Sequence, residues 1–254
     1  MLVIFLVVAG AVLGSFAGAL AWRMRAGRGV ASGRSECDKC GHQLAVLDLV
    51  PVFSWLLLRG ECRYCRAPIH PSSLFAEAGL AFGFWLSYVW WPLGFGSART
   101  VTAFVLWLLA LTVLTTLAIF DARWRLLPDR LVVPLAVLAL VQAGLRVDPL
   151  AVGPYSAHVV LGALVLGGSY TVLFLVSAGR WVGFGDAKLG LAAGSALGGP
   201  AALVALFAAN VAGLIVVGIG RLFKRPEAYR VVPLGPFLAI GFLLAGLLPT
   251  GFPG

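Results

Sequence analysis

Two aspartates carry the sharpest chemistry in this sequence. Asp186 stands in RWVGFGDAKLG, Arg180 to Gly190, with Gly183 and Gly185 before it and Lys188 after it, at the edge of a glycine-rich apolar run. Asp121 closes another apolar run in LAIFDARWRLLPDRL, residues 117–131. Carboxylates within about 3 Å of each other cannot both ionise and share a proton. One can then act as general base on a water while the other donates to a scissile carbonyl. The glycines at 183 and 185 leave room for a neighbouring helix or an extended substrate to approach. A plainer alternative stands beside this. Acids at the end of a span can sit at headgroup depth, and Asp186 at a helix start is favoured by the helix dipole. Asp129, after Pro128, competes with Asp121 for the role, or starts the next helix as a cap.

The four cysteines form a second constellation. Cys37 and Cys40 make one CxxC, Cys62 and Cys65 another, with 21 residues between the pairs. That spacing suits a tetrahedral thiolate site for zinc, with Gly41 letting the backbone turn around sulfur. Disulfides are the alternative, and a reducing compartment would disfavour them. His42 adjoins Cys40 as a substitute ligand, although four thiolates already close such a site. Glu77, a few residues into an apolar stretch, is a functional candidate because an ionisable group within a span is costly. Its alternative is a headgroup-depth pair with a loop arginine. Most of the other acids lie in loops and read as solvated.

The elements that must position these groups follow from composition. Of 254 residues 61% are hydrophobic and 11% charged, far below the roughly one quarter charged that a water-soluble domain carries. The chain is therefore expected in a bilayer, in contact with membrane lipid. Windows of about 20 apolar residues give eight expected helices, at 1–22, 74–93, 100–120, 131–147, 156–178, 186–200, 201–220 and 231–250. The runs lack the alternation of barrel strands. The expected fold is all-α and polytopic, with a first span at 1–22, a cytoplasmic cysteine loop at 23–73 and a helical bundle at 74–254. The loop is too small for a core of its own and would rely on metal to hold its shape.

Basic residues set the orientation. With the N-terminus outside, the cytoplasmic segments 23–73, 121–130, 179–188 and 221–230 hold 17 of the 19 Lys and Arg; only Arg99 and Arg146 fall on the other side. The net charge of +9 thus reads as topology and attraction to anionic lipid rather than as a nucleic-acid surface. The first span has no basic residues ahead of it, and Arg23, Arg25 and Arg28 follow it, so it is expected to stay as an anchor. No HExxH helix and no Gly-x-Ser-x-Gly elbow occurs in the sequence.

At this point the residues carry a resemblance. GFGDAKL is similar to the GxGD signature of membrane-embedded aspartyl proteases, and DARWRLLPDRL resembles the upstream aspartate block of the prepilin peptidases, the type IV leader peptidases. GSFAGALAWR (14–23), LDLVPVFSWLLLRGECRYC (47–65) and VVPLGPFLAIG (231–241) resemble further blocks of that family, in its order. The resemblance implies an enzyme of the bacterial inner membrane, active at its cytoplasmic face. It would cleave the basic leader of prepilins and pseudopilins after a glycine, then N-methylate the new N-terminus with S-adenosylmethionine. Asp121 and Asp186 match the catalytic pair. Glu77, with Gly183, Gly185 and Lys188, is carried as a substrate or methylation contact. The chain departs from the pattern at Gly18, where asparagine is common, before the first cysteine pair, where a proline is missing, and around PSSLFAE. Two other classes fit the composition: a transporter, which usually shows an inverted repeat and midplane acids, and a non-catalytic subunit of a secretion assembly. The sequence assigns no oligomeric state.

Overall fold

The computed structural model describes residues 1–29, 34–146, 152–222 and 232–248. Helix α1 is Leu2–Arg25, followed by a 3-10 turn at Val46–Leu49, a short α2 at Phe53–Leu57 and α3 at Ser72–Val89. Helices α4 (Ala98–Trp124), α5 (Asp129–Arg146) and α6 (Val152–Ala163) come next. A π turn, Leu164–Gly168, joins α6 to α7 (Ser169–Ser177), and α8 (Phe184–Leu197), α9 (Gly199–Leu222) and α10 (Gly235–Gly246) complete the order. Among the described residues there is no strand, only the isolated bridges Glu36–Gln43 and Glu61–Pro68. The part of the basic segment 221–230 beyond Leu222 lies outside the described residues, as do Asp148 and Glu227.

Each expected apolar stretch is represented by helix. Four helical runs, Leu2–Arg25, Ala98–Trp124, Ser156–Ser177 and Gly199–Gly220, are long and apolar enough to cross a membrane. Their outer faces carry exposed apolar side chains, such as Phe5, Val8, Val12 and Phe16 on α1 and Phe207, Leu214 and Ile215 on α9. Contiguous surface of that kind suits lipid and not water. Helix α8, with 14 residues, is about 21 Å long at 1.5 Å per residue. It is shorter than the roughly 30 Å hydrocarbon layer.

Packing groups the chain into two compact units, Met1–Val89 and Trp90–Gly254. The expected division at residues 22 and 73 follows chain segments, whereas packing puts the first helix, the cysteine loop and α3 together. The reason is the seam between α1 and α3. A Cβ on Gly10 would lie 2.7 Å from the Leu80 carbonyl oxygen, and one on Gly14 only 2.5 Å from that of Ala76. Only glycine lets the two backbones touch there.

In the second unit α8 is the buried element, in contact with α5, α6, α7, α9 and α10. Helix α4 packs on α5 and α10, and the Trp107 ring stacks on Phe242 with centroids 4.7 Å apart. Gly246 is fitted against Trp107, and Gly241 against the Ala205 carbonyl of α9.

Glycines on one helix therefore differ in what they do. Gly14 admits the α3 backbone, while a Cβ on Gly18 would meet nothing within 4 Å. Gly14→Ala is expected to destabilise the folded protein by about 1–3 kcal/mol through overpacking. Gly18→Ala should be neutral or slightly stabilising, because alanine is the better helix former. Thermal midpoints of the two variants in one detergent check both outcomes.

Candidate active site and metal centre

Asp121 lies in the last turn of α4, which ends where Arg125 takes a left-handed conformation, φ 54°, and returns its N–H to the Asp121 carbonyl. Its side chain is buried, and its Oδ2 accepts a 2.6 Å hydrogen bond from the N–H of Gly235, the first residue of α10. A Cβ at Gly235 would fall 2.9 Å from the Asp121 Cβ and 3.0 Å from Oδ2, so this seat requires glycine. The positive end of the α10 dipole faces the carboxylate, and the Arg125 charge reaches it as well.

Asp186 occupies the third position of α8. Its Oδ2 accepts from the N–H of Gly183, the residue capping the helix, at 3.0 Å. This is the acidic half of a capping box. Its Oδ1 is buried and has no hydrogen-bond partner. The two aspartates are near enough for their charges to repel, yet no hydrogen bond joins them. The direct proton-sharing contact considered from the sequence is not formed in this structure. Each carboxylate is instead turned to an amide at the start of a helix.

The neighbouring residues each have a defined contact. A Cβ at Gly185 would lie 3.0 Å from the Cβ of Leu127, so the room that this glycine leaves is used by a side chain of the segment after α4. A Cβ at Gly183 would meet the Asp186 carboxylate at 3.3 Å. Lys188 is paired: its Nζ donates to both carboxylate oxygens of Asp129 at 2.9 and 3.0 Å and lies 5.0 Å from the Phe184 ring centroid. Asp129 is the first residue of α5, with its carboxylate given to Lys188. Its side chain is 64% exposed, which sets it apart from buried Asp121 and Asp186.

In the first unit Glu77 is buried on α3, and no arginine meets it among the described residues. Its Oε2 accepts a 2.6 Å hydrogen bond from the Val52 N–H, and the Ser15 side chain of α1 lies close to it. Val52 has φ 65° and ψ −52°, a conformation that a β-branched residue rarely adopts. Glu77 thus holds a strained turn just ahead of α2.

The four cysteine sulfurs lie within 4.8 Å of one another, and Cys37 Sγ is 3.8 Å from Cys65 Sγ. Sulfurs bound tetrahedrally at about 2.3 Å from one metal stand about 3.8 Å apart, so the cluster fits such a centre. No disulfide joins them. The two CxxC turns have the same backbone bonding. Cys37 N–H donates to His42 O and Gly41 N–H to Cys37 O, and likewise Cys62 N–H to Ala67 O and Arg66 N–H to Cys62 O. The left-handed position is Gly41 in one turn, φ 68°, and Arg66 in the other, φ 57°.

The thiols do not ionise alike. Burial works against the Cys37 thiolate, but the Cys40 and Lys39 amides and neighbouring thiols outweigh it and bring the thiol down to about 7. At Cys65 the Ala67 amide favours the thiolate, but burial and the other three sulfurs prevail and push the thiol up to about 12.

His42 stacks on Tyr64 across the two turns, with ring centroids 3.7 Å apart, and is not part of the sulfur cluster. Asp48 departs from the solvated loop acids. Its side chain is only 4% exposed, and it accepts from Ala45 N–H at 3.1 Å, Arg63 Nε at 2.6 Å and Tyr64 OH at 3.1 Å. It ties the 46–49 turn to the second cysteine pair.

Sequence reasoning passed over two polar side chains inside the apolar helices. Tyr170 on α7 is 1% exposed with no hydrogen bond at its hydroxyl, and Gln142 on α5 is fully buried with both amide atoms unpartnered. The signal was present in each case, a polar group within an apolar run.

An all-helical chain with membrane-length helices, a buried acid pair on separate helices and a four-cysteine cluster belongs to the class of polytopic membrane proteins. Comparison with known proteins narrows the class. Residues 8–91 match the family model for the bacterial peptidase A24 N-terminal domain, and residues 108–218 match the type IV leader peptidase family. The prepilin leader peptidase/N-methyltransferase of Stutzerimonas stutzeri is 34% identical over 210 residues, which are 81% of this chain and 68% of that protein. The same-named proteins of Dichelobacter nodosus and Aeromonas hydrophila are 34% and 32% identical, covering 68% and 70% of their own lengths. No solved structure matches the chain significantly. The chain belongs to the type IV leader peptidase family. The boundary between the two matched segments falls close to the boundary between the two packed units.

The Lys188–Asp129 pair ties the start of α5 to α8 at an exposed position. Exposed pairs are worth about 0–1 kcal/mol. Asp129→Asn and Lys188→Met should each lower stability slightly, and the double variant should lose no more than either single one. A double-mutant cycle of thermal or denaturant unfolding reads the coupling.

Proposed function

We propose that this chain is a prepilin leader peptidase of the bacterial inner membrane, in which Asp121 and Asp186 are the catalytic pair. The observation that carries the proposal is the burial of two carboxylates on different helices, each held through one oxygen by a helix-start amide. One carboxylate takes a proton from water as the water oxygen bonds to the scissile carbonyl carbon. The other gives a proton to the carbonyl oxygen. Collapse of the tetrahedral adduct breaks the C–N bond, and the leaving amine takes up a proton. Asp186 Oδ1, which has no other hydrogen bond, is free to hold a proton or to meet the substrate.

The substrates in this proposal are prepilins or pseudopilins, cut after a glycine with the leader on the cytoplasmic side. The chain crosses the bilayer eight times with its N-terminus outside, which places the 23–73 loop and the acid pair at the cytoplasmic face. Cys37, Cys40, Cys62 and Cys65 hold one structural zinc. Methylation of the new N-terminus belongs to the same reading. S-adenosylmethionine, when bound, supplies a methyl group on a cationic sulfonium. Glu77 is a buried acid whose charge suits such a ligand, and it also positions the Val52 turn. Gly183, Gly185 and Lys188 lie beside Asp186 in the sequence and belong to the same reading as substrate contacts, with Leu127 against Gly185 and Lys188 paired to Asp129 in this structure.

Leader removal measured on membranes that hold the enzyme and one prepilin tests the pair. Asp121→Asn and Asp186→Asn are each expected to abolish cleavage with the protein still inserted. Asparagine keeps size and hydrogen bonding but cannot exchange the proton. Asp129→Asn should keep most activity, because it loses only an exposed ion pair. An active Asp186→Asn enzyme would favour a non-catalytic subunit, and an active Asp121→Asn with a dead Asp129→Asn would reassign the pair.

The purified protein should contain about one zinc per chain. Cys→Ser at 37, 40, 62 or 65 should lower metal content and thermal stability together, because the site and the loop fold as one. Metal lost with stability unchanged would show that the centre does not hold the loop.

A further inference from the structure

The π turn between α6 and α7 brings its chain against α8 along a seam lined by glycines. Gly162 and Gly194 face each other so closely that a Cβ on either would strike the other's carbonyl oxygen. Further along, a Cβ on Gly167 would lie 2.5 Å from Leu191 N, and one on Gly190 3.0 Å from Gly167 Cα. The residue numbers rise on one helix as they fall on the other, so the two run antiparallel. Asp186, Gly190 and Gly194 are spaced by four and share one face of α8. Tyr170 is three residues past Gly167, and Asp186 is four residues before Gly190. One turn beyond the last glycine contact, the seam therefore sets Tyr170 opposite Asp186. The charge of Asp186 is felt at Tyr170, in agreement with that register.

Both groups are incomplete. The Tyr170 side chain is 1% exposed and its hydroxyl makes no hydrogen bond, and Asp186 Oδ1 makes none either. Asn210 of α9 faces the phenol without closing a hydrogen bond to it, and its Nδ2 bonds to the Leu206 carbonyl at 2.7 Å. A buried hydroxyl without a partner is penalised for its lost water and receives nothing in return. Phenylalanine would fill the same space without that penalty, so the fold gives no reason for a hydroxyl here.

We infer that Tyr170 is a third catalytic residue, whose phenol donates a hydrogen bond to the oxygen of the scissile carbonyl as negative charge gathers there. The proton stays on the tyrosine, and the carboxylates carry the proton transfers. Preorganised donors of this kind act on the transition state more than on the bound substrate. The inference rests on the assignment of Asp121 and Asp186 as the acid pair.

The test uses full-length enzyme in detergent or bilayer discs, a purified prepilin, initial rates and a thermal midpoint for each variant. Tyr170→Phe is expected to lower kcat by about 10²–10³-fold, the range seen when one such donor is removed. KM should change little, and the midpoint should stay or rise. Tyr170→Met, with a flexible apolar side chain, should show the same loss of kcat if the phenylalanine variant proves hard to purify. Asn210→Leu should cleave at close to the parent rate. An unchanged kcat in Tyr170→Phe overturns the inference. So does a loss matched by Asn210→Leu with a falling midpoint, which would mean that the hydroxyl serves packing against α9. Asp186→Asn distinguishes the two levels. If it is active, the acid pair falls; if it is inactive while Tyr170→Phe cleaves normally, only the tyrosine assignment falls.

Discussion

The structure of the second unit depends on the cost of keeping two carboxylates inside an apolar bundle. A buried charge without partners is strongly unfavourable, and among the described residues neither Asp121 nor Asp186 has a lysine or arginine bonded to it. Each is met by one backbone amide at a helix start, Gly235 for Asp121 and Gly183 for Asp186. Helix starts in a membrane protein have the complementary problem, since their first N–H groups lack intrahelical partners and no water is at hand. The two deficits offset each other. The solution is a tight one, because Asp121 can reach α10 only where residue 235 lacks a side chain. The last helix is therefore part of the site even though it carries no acid of its own.

The first unit meets a different shortage. The chain between α1 and α3 is too short to bury a core, and among the described residues its two CxxC turns are held by backbone bonds, a His42–Tyr64 stack and the Asp48 hub. Four sulfurs at metal-binding distances supply a cross-link in place of a core. One link from this loop to the helices is a buried acid. Glu77 reaches from α3 to the amide of strained Val52, beside Ser15 of α1, so one carboxylate fastens the loop to α3 next to the α1 seam. A strained turn persists only where its surroundings over-determine it, and the short bond to Glu77 is such a constraint.

How much of this was legible in the sequence differs by residue. Asp121 and Asp186 stand out because a charge at the border of an apolar run is costly wherever the chain goes, and that cost needs no tertiary knowledge. The cysteine pairs stand out because ligand spacing is local. Asp48 was hidden: a loop acid looks solvated until Arg63 and Tyr64 fold over it. The Lys188–Asp129 pair was hidden too, since 59 residues separate the partners and nothing local links them. Gly235 was hidden for a subtler reason. In a chain with 32 glycines, one glycine beside a proline reads as a turn, and its need to admit Asp121 appears only once α4 and α10 are side by side. Tyr170 was visible as a polar group, but its register against α8 depends on glycines three and eight residues earlier.

That register shows why the glycines matter to chemistry as well as to packing. Where helices pack through large side chains, rotamers can adjust and the helices can slide by a fraction of a turn. Where Gly162 meets Gly194 and Gly167 meets Gly190, backbone touches backbone, and there are no rotamers to adjust. A shift along the seam would drive a carbonyl into a neighbouring Cα, which opposes sliding of this seam against α8. At the other acid the glycine has a different part, since Gly235 of α10 lies directly against the Asp121 side chain. Catalysis by positioned acids tolerates errors of only a fraction of an ångström in the placement of the reacting groups. A bundle in lipid has little hydrophobic force between its helices with which to enforce such placement. Direct backbone contact through glycine supplies that rigidity at α8, which carries Asp186, and at Asp121 the glycine of α10 lets the side chain itself be clasped.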